Sequence, residues 1–265
     1  MNVITLTTDF GLRDPFVGVM KGRILARAPA ASVVDLSHDI VAHWPAEAGF
    51  WLAHCHQYFP SGTVHVAVVD PGVGTARAIA MVEAAGQVFL APDNGLLAPL
   101  IARHSQARCW HLDPAQFPRL GIGRTSATFH GRDIFAPLAA ELATGRVTVA
   151  EVGVPVPDLV PGWVDESLVT AEQASGVIIT IDHFGNLISN IEGSDIERWV
   201  EPYVYLGALA LPLRRTYGEV QPGTALALIN SFGVLEIAVA EGRASDVLGL
   251  SRGAPLVVRD RVRKR

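Results

Sequence analysis

The residues of this 265-residue chain whose types could do chemistry gather at the ends of regular-looking segments: Asp9, Asp14, Asp70, Arg77, His130, Arg132, Asp182, Asn186, Asn190, Asn230 and Ser231. The most informative stretch is 63–77, TVHVAVVDPGVGTAR, where an apolar β-branched run stops at Asp70-Pro71-Gly72 and Arg77 follows seven residues after Asp70. Val64, Val66, Val68 and Val69 suit a strand buried on both faces, and Gly72 and Gly74 let the backbone turn tightly behind it. A carboxylate and a guanidinium then arrive at the carboxyl edge of a parallel sheet, where open α/β folds place their ligands. Two readings stand on this stretch alone: a ligand-facing pair of charges, or a strand ended by an Asp-Pro turn with Arg77 as a solvated charge. His130, in Thr128-Phe129-His130-Gly131-Arg132-Asp133, falls at a helix start, where free N–H donors suit an anion or a polarised water and disfavour imidazolium. Asp9, in a strand-to-helix loop, reads also as a turn aspartate bonded to its own backbone.

The familiar nucleophiles and cradles are missing: there is no P-loop, no GxSxG, no HExxH and no GxGxxG after the first strand. His54 and His56 stand two apart on a predicted helix and point to different sides, so a shared metal site is not expected. Cys55 and Cys109 have no CxxC spacing, and both are read as buried, reduced thiols.

The elements that must position these groups alternate at first. Strands are predicted over 3–7, 32–36 and 64–69, with helices over 14–27 and 45–58 between them, Asp14 acting as N-cap and Pro15 taking the first helical position. This rhythm predicts an α/β domain with a mostly parallel central sheet flanked by helices. Segments 78–83 and 87–91 form a hairpin through Gly86, followed by a helix over 96–103, an irregular stretch over 114–125 and, after 128–133, a helical run to Thr144 with Pro137 near its start. Residues 151–167, with Pro155, Pro157 and Pro161, read as a connector, which sets the boundaries at 1–160 and 168–260 with a solvated basic tail at 261–265. Beyond the connector, short strands over 176–181, 203–206, 208–213, 224–228, 234–239 and 255–259 predict a smaller all-β, barrel-like domain.

Composition excludes several classes. A net charge of −5 and a pI near 6.0 argue against a nucleic-acid surface. No apolar run reaches the length of a membrane span, and the N-terminus lacks the pattern of a signal peptide, so a cytoplasmic location is expected. Charged residues at 18% with a mean hydropathy of +0.31 point to surface buried in an oligomer.

Six motifs, TTDFG at 7–11, VVDPGVGTAR at 68–77, APDNGLL at 91–97, TFHGRDIFAP at 128–137, IDHFGNLISNI at 181–191 and NSFGVLEIA at 230–238, together resemble the S-adenosyl-L-methionine hydrolase (adenosine-forming) family. That family, also called SAM hydroxide adenosyltransferase, is related to the fluorinase and chlorinase. The resemblance covers nearly the whole chain in order. It implies an N-terminal α/β domain and a C-terminal β-barrel in a homotrimer, with active sites where the N-domain of one subunit meets the C-domain of the next. It implies hydrolysis of S-adenosyl-L-methionine to adenosine and L-methionine, with no metal and no cofactor beyond the substrate itself. Asp70, Arg77 and His130 match the residues that generate the hydroxide nucleophile. Asp9 matches the aspartate that binds both ribose hydroxyls, Asp182 and Ser231 match positions holding the methionine amine and carboxylate, and Asp14 assists. Phe184, Asn186, Phe232 and Ala244 match positions lining the adenine, and Phe129 packs near the sugar.

Fluorinases carry tyrosine where Asp70 stands and a tyrosine-serine pair where His130-Gly131 stands, and their inserted loop is absent between Asn94 and Thr128. An anionic Asp70 repels a halide, so water is the expected nucleophile. The alternatives are a halogenase and a non-catalytic adenosine or S-adenosylmethionine sensor. The chain departs from the family at Gly242-Arg243-Ala244-Ser245, where Gly-Asn-Ala-Ala is usual, and after the second strand, where His43 takes the place of an aromatic and Trp44 sits one position away.

Overall fold

The protein is described by a computed structural model covering residues 2–261. It divides into two compact units, 1–164 and 165–265. The N-terminal unit begins β1 (Val3–Thr8), α1 (Phe16–Leu25), β2 (Ser32–Ser37), α2 (Pro45–Cys55) and β3 (Val64–Val68). It continues β4 (Ile79–Ala84), β5 (Gln87–Pro92), α3 (Ala98–Arg103), β6 (Arg108–Leu112), a π-helical turn Gly131–Phe135, α4 (Ala136–Ala143), α5 (Val149–Val152) and β7 (Gly153–Val156).

The seven strands form one sheet in the order β2-β1-β3-β5-β4-β6-β7. β3 is buried along its whole length, as its valines predict. Its Val64, Val66 and Val68 enter the cluster of Ile4, Leu6, Met20 and Ile24, while Ala67 and the following Val69 face the opposite cluster of Ala48, Leu52 and Phe89. The sheet is mixed, which corrects the mostly parallel expectation: β2, β1, β3 and β5 run parallel, whereas β4, β6 and β7 are added antiparallel. The cause is the β4–β5 hairpin. Its two-residue loop, Ala85 at φ 50° and Gly86 at φ 73°, has the positive φ values of a tight hairpin turn, so β4 must return beside β5.

Four local expectations also change. Asp14 makes no cap, because α1 starts at Phe16 with Pro15 in the N-cap position and no side-chain cap bond. The 45–58 helix ends at Cys55 and tightens into a 3₁₀ turn His56–Tyr58. The proline-rich connector contributes β7 to the sheet, Pro155 being tolerated because this strand lies at the edge, opposite Trp110 of β6. Cys55 and Cys109 are both free; burial pushes Cys55 up to about 11, but Cys109 is only half-buried.

The C-terminal unit holds β8 (Leu168–Val169), β9 (Gln173–Ile181), β10 (Leu187–Glu192), α6 (Gly193–Ile196), β11 (Pro202–Leu206), β12 (Leu209–Arg214), β13 (Ala225–Ile229), β14 (Val234–Val239), α7 (Ala244–Leu248) and β15 (Pro255–Asp260). Seven strands run in the order β10-β14-β13-β12-β11-β15-β9, and β9 pairs with β10 to close the barrel, with β8 appended to β9. Leu187, Leu235, Ile237, Val204, Leu256 and Val258 fill it. Of the expected basic tail, Arg261 packs its guanidinium 3.6 Å from the Tyr203 ring centre, and 262–265 lie outside the described residues.

Candidate active site

Beyond β3, Val69 is fully buried and Asp70 follows with its side chain 4% exposed. The strand end is pinned from a neighbouring loop: Asn94 donates Nδ2 to the Val69 carbonyl at 2.9 Å. Arg77 returns to Asp70. Its Nε lies 2.9 Å from Oδ1 and 3.0 Å from Oδ2, and its Nη2 also donates to Oδ2. The same Nη2 meets His130 Nδ1 at 3.0 Å, and the guanidinium carbon stands 5.8 Å from the Phe135 ring centre. The sequence-predicted Asp70, Arg77 and His130 therefore form one chain of contacts.

Gly74 brings the two loops together. Its φ is +78°, and a Cβ there would collide with the Ala127 carbonyl, so only glycine allows this approach just before His130. Gly131 plays a similar part: a Cβ would crowd Met20 of α1 and the Phe129 and Phe10 rings. His130 precedes the π-helical turn, as expected of a residue at a helix start.

The contact fixes the His130 tautomer. A guanidinium has no lone pair to give, so Nδ1 must accept from Arg77 and the ring proton sits on Nε2. Burial, reinforced by the Arg77 charge, holds the imidazole below its usual range against the opposing pull of Asp70 and Asp133. His130 is thus neutral near pH 7, with an N–H donor on its far side. Asp70 Oδ2 accepts twice from Arg77 and Oδ1 once, which leaves Oδ1 able to accept another hydrogen bond.

The other expected residues of this unit lie at the same carboxyl edge or in the loop behind it. Asp9, just past β1, accepts from the His43 backbone N–H at 2.9 Å, and His43 adopts φ 64° to present it. Trp44 instead packs edge-on against Trp163, with ring centres 5.9 Å apart. Asp14 is exposed in the loop before α1. Phe129 packs edge-on against Phe10 and Phe16, at 6.0 and 5.4 Å, and Arg132 lies over its ring at 5.2 Å. Arg132 donates to both oxygens of Asp133, and Oδ2 also accepts the Ser126 N–H.

In the C-terminal unit, Asp182 and Asn186 face each other across the β9–β10 turn. Asn186 donates its backbone N–H to Asp182 Oδ1 at 2.8 Å and its Nδ2 to Oδ2 at 3.2 Å. Phe184 at the tip is 71% exposed. Gly185, at φ +85°, lies against Arg243, whose Nη1 donates to the His183 carbonyl at 2.8 Å, so the departure at Arg243 has a structural job. Ser231 is exposed and Phe232 half-buried in the β13–β14 turn, whereas Ala244 is fully buried and enters the barrel core. Asn190 ties β9 to the chain before it through the Val177 N–H and the Asp165 carbonyl, a structural role.

Two family models divide the chain between them. That of the SAM hydroxide adenosyltransferase N-terminal domain matches residues 4–153, and that of the C-terminal domain matches 176–257. The chain belongs to the SAM hydroxide adenosyltransferase family. A protein named (R)-S-adenosyl-L-methionine hydrolase from Thermus thermophilus is 39% identical over 262 residues, covering 97% of this chain and 99% of its own length. A namesake from Methanocaldococcus jannaschii is 30% identical, with coverage of 94% and 93%. A fluorinase from an Actinoplanes species is 29% identical over 89% of this chain and 90% of its own. The crystal structure of an uncharacterized conserved protein from Thermotoga maritima matches with a TM-score of 0.87 and 31% identity over 97% of this chain and 99% of that one.

Within this family fold, sequence reasoning passed over several supporting residues. Asn94 and Phe135 lie inside quoted motifs, but their partners, the Val69 carbonyl and the Arg77 guanidinium, are remote in sequence and only the fold reveals them. Tyr217 and Glu236 were missed for the same reason. Among the described residues, no group of three or more His, Cys, Asp or Glu side chains could hold a metal ion. His54 and His56 point to separate partners, His54 to the Phe50 carbonyl and His56 to Gln87.

Proposed function

We propose that this protein hydrolyses S-adenosyl-L-methionine to adenosine and L-methionine, with Asp70 as the base, Arg77 as the electrostatic stabiliser and His130 as a hydrogen-bond donor to the attacking oxygen. The observation that carries this reading is the continuous Asp70–Arg77–His130 contact at the carboxyl edge of the sheet. A new bond forms between the water oxygen and C5′ of the ribose as the C5′–sulfur bond breaks. Its electron pair goes to sulfur, and the water proton goes to Asp70 Oδ1. Methionine leaves as a neutral thioether, so the leaving group needs no acid and the difficulty lies with the nucleophile. Arg77 offsets the charge developing on oxygen, and His130 Nε2–H orients it. Base assistance is worth on the order of a hundredfold to ten-thousandfold; alignment for in-line displacement supplies much of the rest.

Asp9 binds the ribose hydroxyls in this reading. Asp182 and Ser231 hold the methionine amine and carboxylate, with Asp14 assisting. Phe129 lies near the sugar, and Phe184, Asn186, Phe232 and the backbone at Ala244 take the adenine. The finer reading is a cytoplasmic homotrimer, free of metal and cofactor, whose active sites draw on neighbouring subunits. The exposed Leu12, Phe16, Val19 and Leu25 support it as surface to be covered by another copy. Light scattering should return three times the 28.3 kDa chain mass. The related hydrolases are named for the (R) form, and we extend that preference to this chain, to be checked with separated sulfonium epimers.

The deciding experiment is incubation with S-adenosylmethionine in oxygen-18 water, with and without chloride or fluoride, read by mass spectrometry. Adenosine labelled at the 5′ oxygen, with free methionine and no halide requirement, is the expected result. A 5′-halogenated adenosine would establish a halogenase, and bound but unchanged substrate a sensor.

A further inference from the structure

The β13–β14 turn is built over a buried carboxylate. Every residue of β14 is buried, and Glu236 in mid-strand is 3% exposed, while its neighbours Leu235 and Ile237 enter the barrel core. Side-chain alternation therefore turns Glu236 to the outer face. Its strand-register partners are Leu228 on β13 and Ile188 on β10, both apolar. Tyr217 donates its hydroxyl to Oε1 at 2.7 Å, and Asn230 donates Nδ2 to Oε2 at 3.2 Å. Burial, with the Asp182 charge adding to it, pushes this carboxyl above its usual range, and the two hydrogen bonds pull it back. A buried carboxylate with two neutral partners is unfavourable for stability alone.

Its geometry offers a reason for keeping it. With Nδ2 committed to Glu236, the Asn230 amide must aim Oδ1 into the turn, where it accepts from the Phe232 N–H at 2.9 Å and the Val234 N–H at 3.3 Å. A reversed amide would aim an NH₂ at two N–H donors. A carboxylate, which only accepts, forbids that reversal.

We propose that Glu236 is the positioning residue of this turn, fixing the Asn230 amide so that Asn230 holds Ser231 and Phe232 in the conformation that meets the substrate. The proposal rests on the assignment of Ser231 and Phe232 to the substrate.

The test is steady-state hydrolysis of S-adenosylmethionine by Glu236→Leu, Glu236→Gln, Asn230→Ala and Ser231→Ala, with a melting temperature for each. Leucine matches the apolar neighbours but releases Asn230. Glu236→Leu should therefore raise KM about tenfold, the effect of one hydrogen bond to a charged group, with kcat within about twofold. Glutamine can still accept from Asn230 while its NH₂ faces the Tyr217 oxygen, so Glu236→Gln should recover most of the loss. A lowered melting temperature with unchanged KM in Glu236→Leu would overturn the proposal, and so would equal KM increases in the leucine and glutamine variants. If Glu236→Leu fails to fold, Asn230→Ala decides, with the same KM increase expected and an unchanged KM fatal. Ser231→Ala separates the two layers. A raised KM there with an unchanged KM in Glu236→Leu sinks the positioning role alone, whereas an unchanged KM in Ser231→Ala removes the substrate assignment and the proposal with it.

Discussion

The Asp70 edge of the N-terminal unit and the β13–β14 turn of the C-terminal unit each hold polar groups in place, by opposite means. At the first, charge answers charge and the contact continues to a remote loop: Arg77 binds Asp70, seven residues before it, and reaches His130, 53 residues after it. At the second, Asn230 finds partners two, four and six positions along, and the buried Glu236 is met by a neutral phenol and a neutral amide. In the proposed reaction the contrast separates a site that stabilises developing charge from one that holds a shape. A fixed cation lowers the energy of a forming hydroxide, while a turn presenting amides and rings needs orientation only.

Removing either charge at the first site should break the comparison most severely. Asp70→Asn and Arg77→Ala should each lower kcat by about a hundredfold to ten-thousandfold while S-adenosylmethionine binding, read by calorimetry, changes little. Loss of binding in both variants would make the pair a substrate anchor. Asp70→Asn keeps the shape but removes the proposed base.

The two units should also part company with pH. Burial pushes His65, stacked on Phe89 and bonded to Thr5, down to about 3, and His56, bonded to Gln87 and His104, is also depressed. A histidine whose folded value lies below its unfolded value near 6.5 takes up a proton more readily when unfolded, so stability is lost as pH falls below about 6.5. His65 alone contributes about 1.4 kcal/mol of loss per pH unit between about 6.5 and 3. Glu236 has the opposite sign. Its raised folded value means its contribution is present at low pH and lost as pH rises through that value. Calorimetry from pH 7 to 4.5 should therefore show an N-terminal transition falling ahead of the C-terminal one, and two transitions moving together would contradict this.

A smaller effect is expected at His130, which donates from Nε2 and takes no proton. His130→Ala should cost about tenfold to a hundredfold in kcat, and His130→Gln, which keeps a donor, should regain part of it. Because burial and Arg77 depress its value, the acid limb of the wild-type rate profile should fall below the ordinary histidine range. The smallest change expected is none: treatment with a metal chelator should leave turnover unaltered.

Much of both regions was legible in the chain itself, wherever the cause is local. The hairpin through Gly86, the stop at Asp70-Pro71-Gly72 and the doubly buried β3 follow from φ preferences and alternation over a few residues. Asp14 misled because an aspartate before a proline carries the pattern of a cap whether or not the helix begins one residue later. β6 and β7 escaped because both are too short to show periodicity and the edge strand β7 carries a proline; β6 is defined by its pairing with β4 on one side and β7 on the other.

By itself the sequence determined the order of motifs, and hence the family, together with the set of residue types available for chemistry at element ends. Tertiary structure alone decided that the sheet is mixed, that Gly74 rests on the Ala127 carbonyl, that Nδ1 of His130 is taken by Arg77 and that Glu236 is buried beneath the turn it supports. Those contacts join residues remote along the chain or turned to one face by strand pairing. Their formation depends on the closure of long loops and the packing of whole layers, a cooperative outcome that no short window of residues encodes.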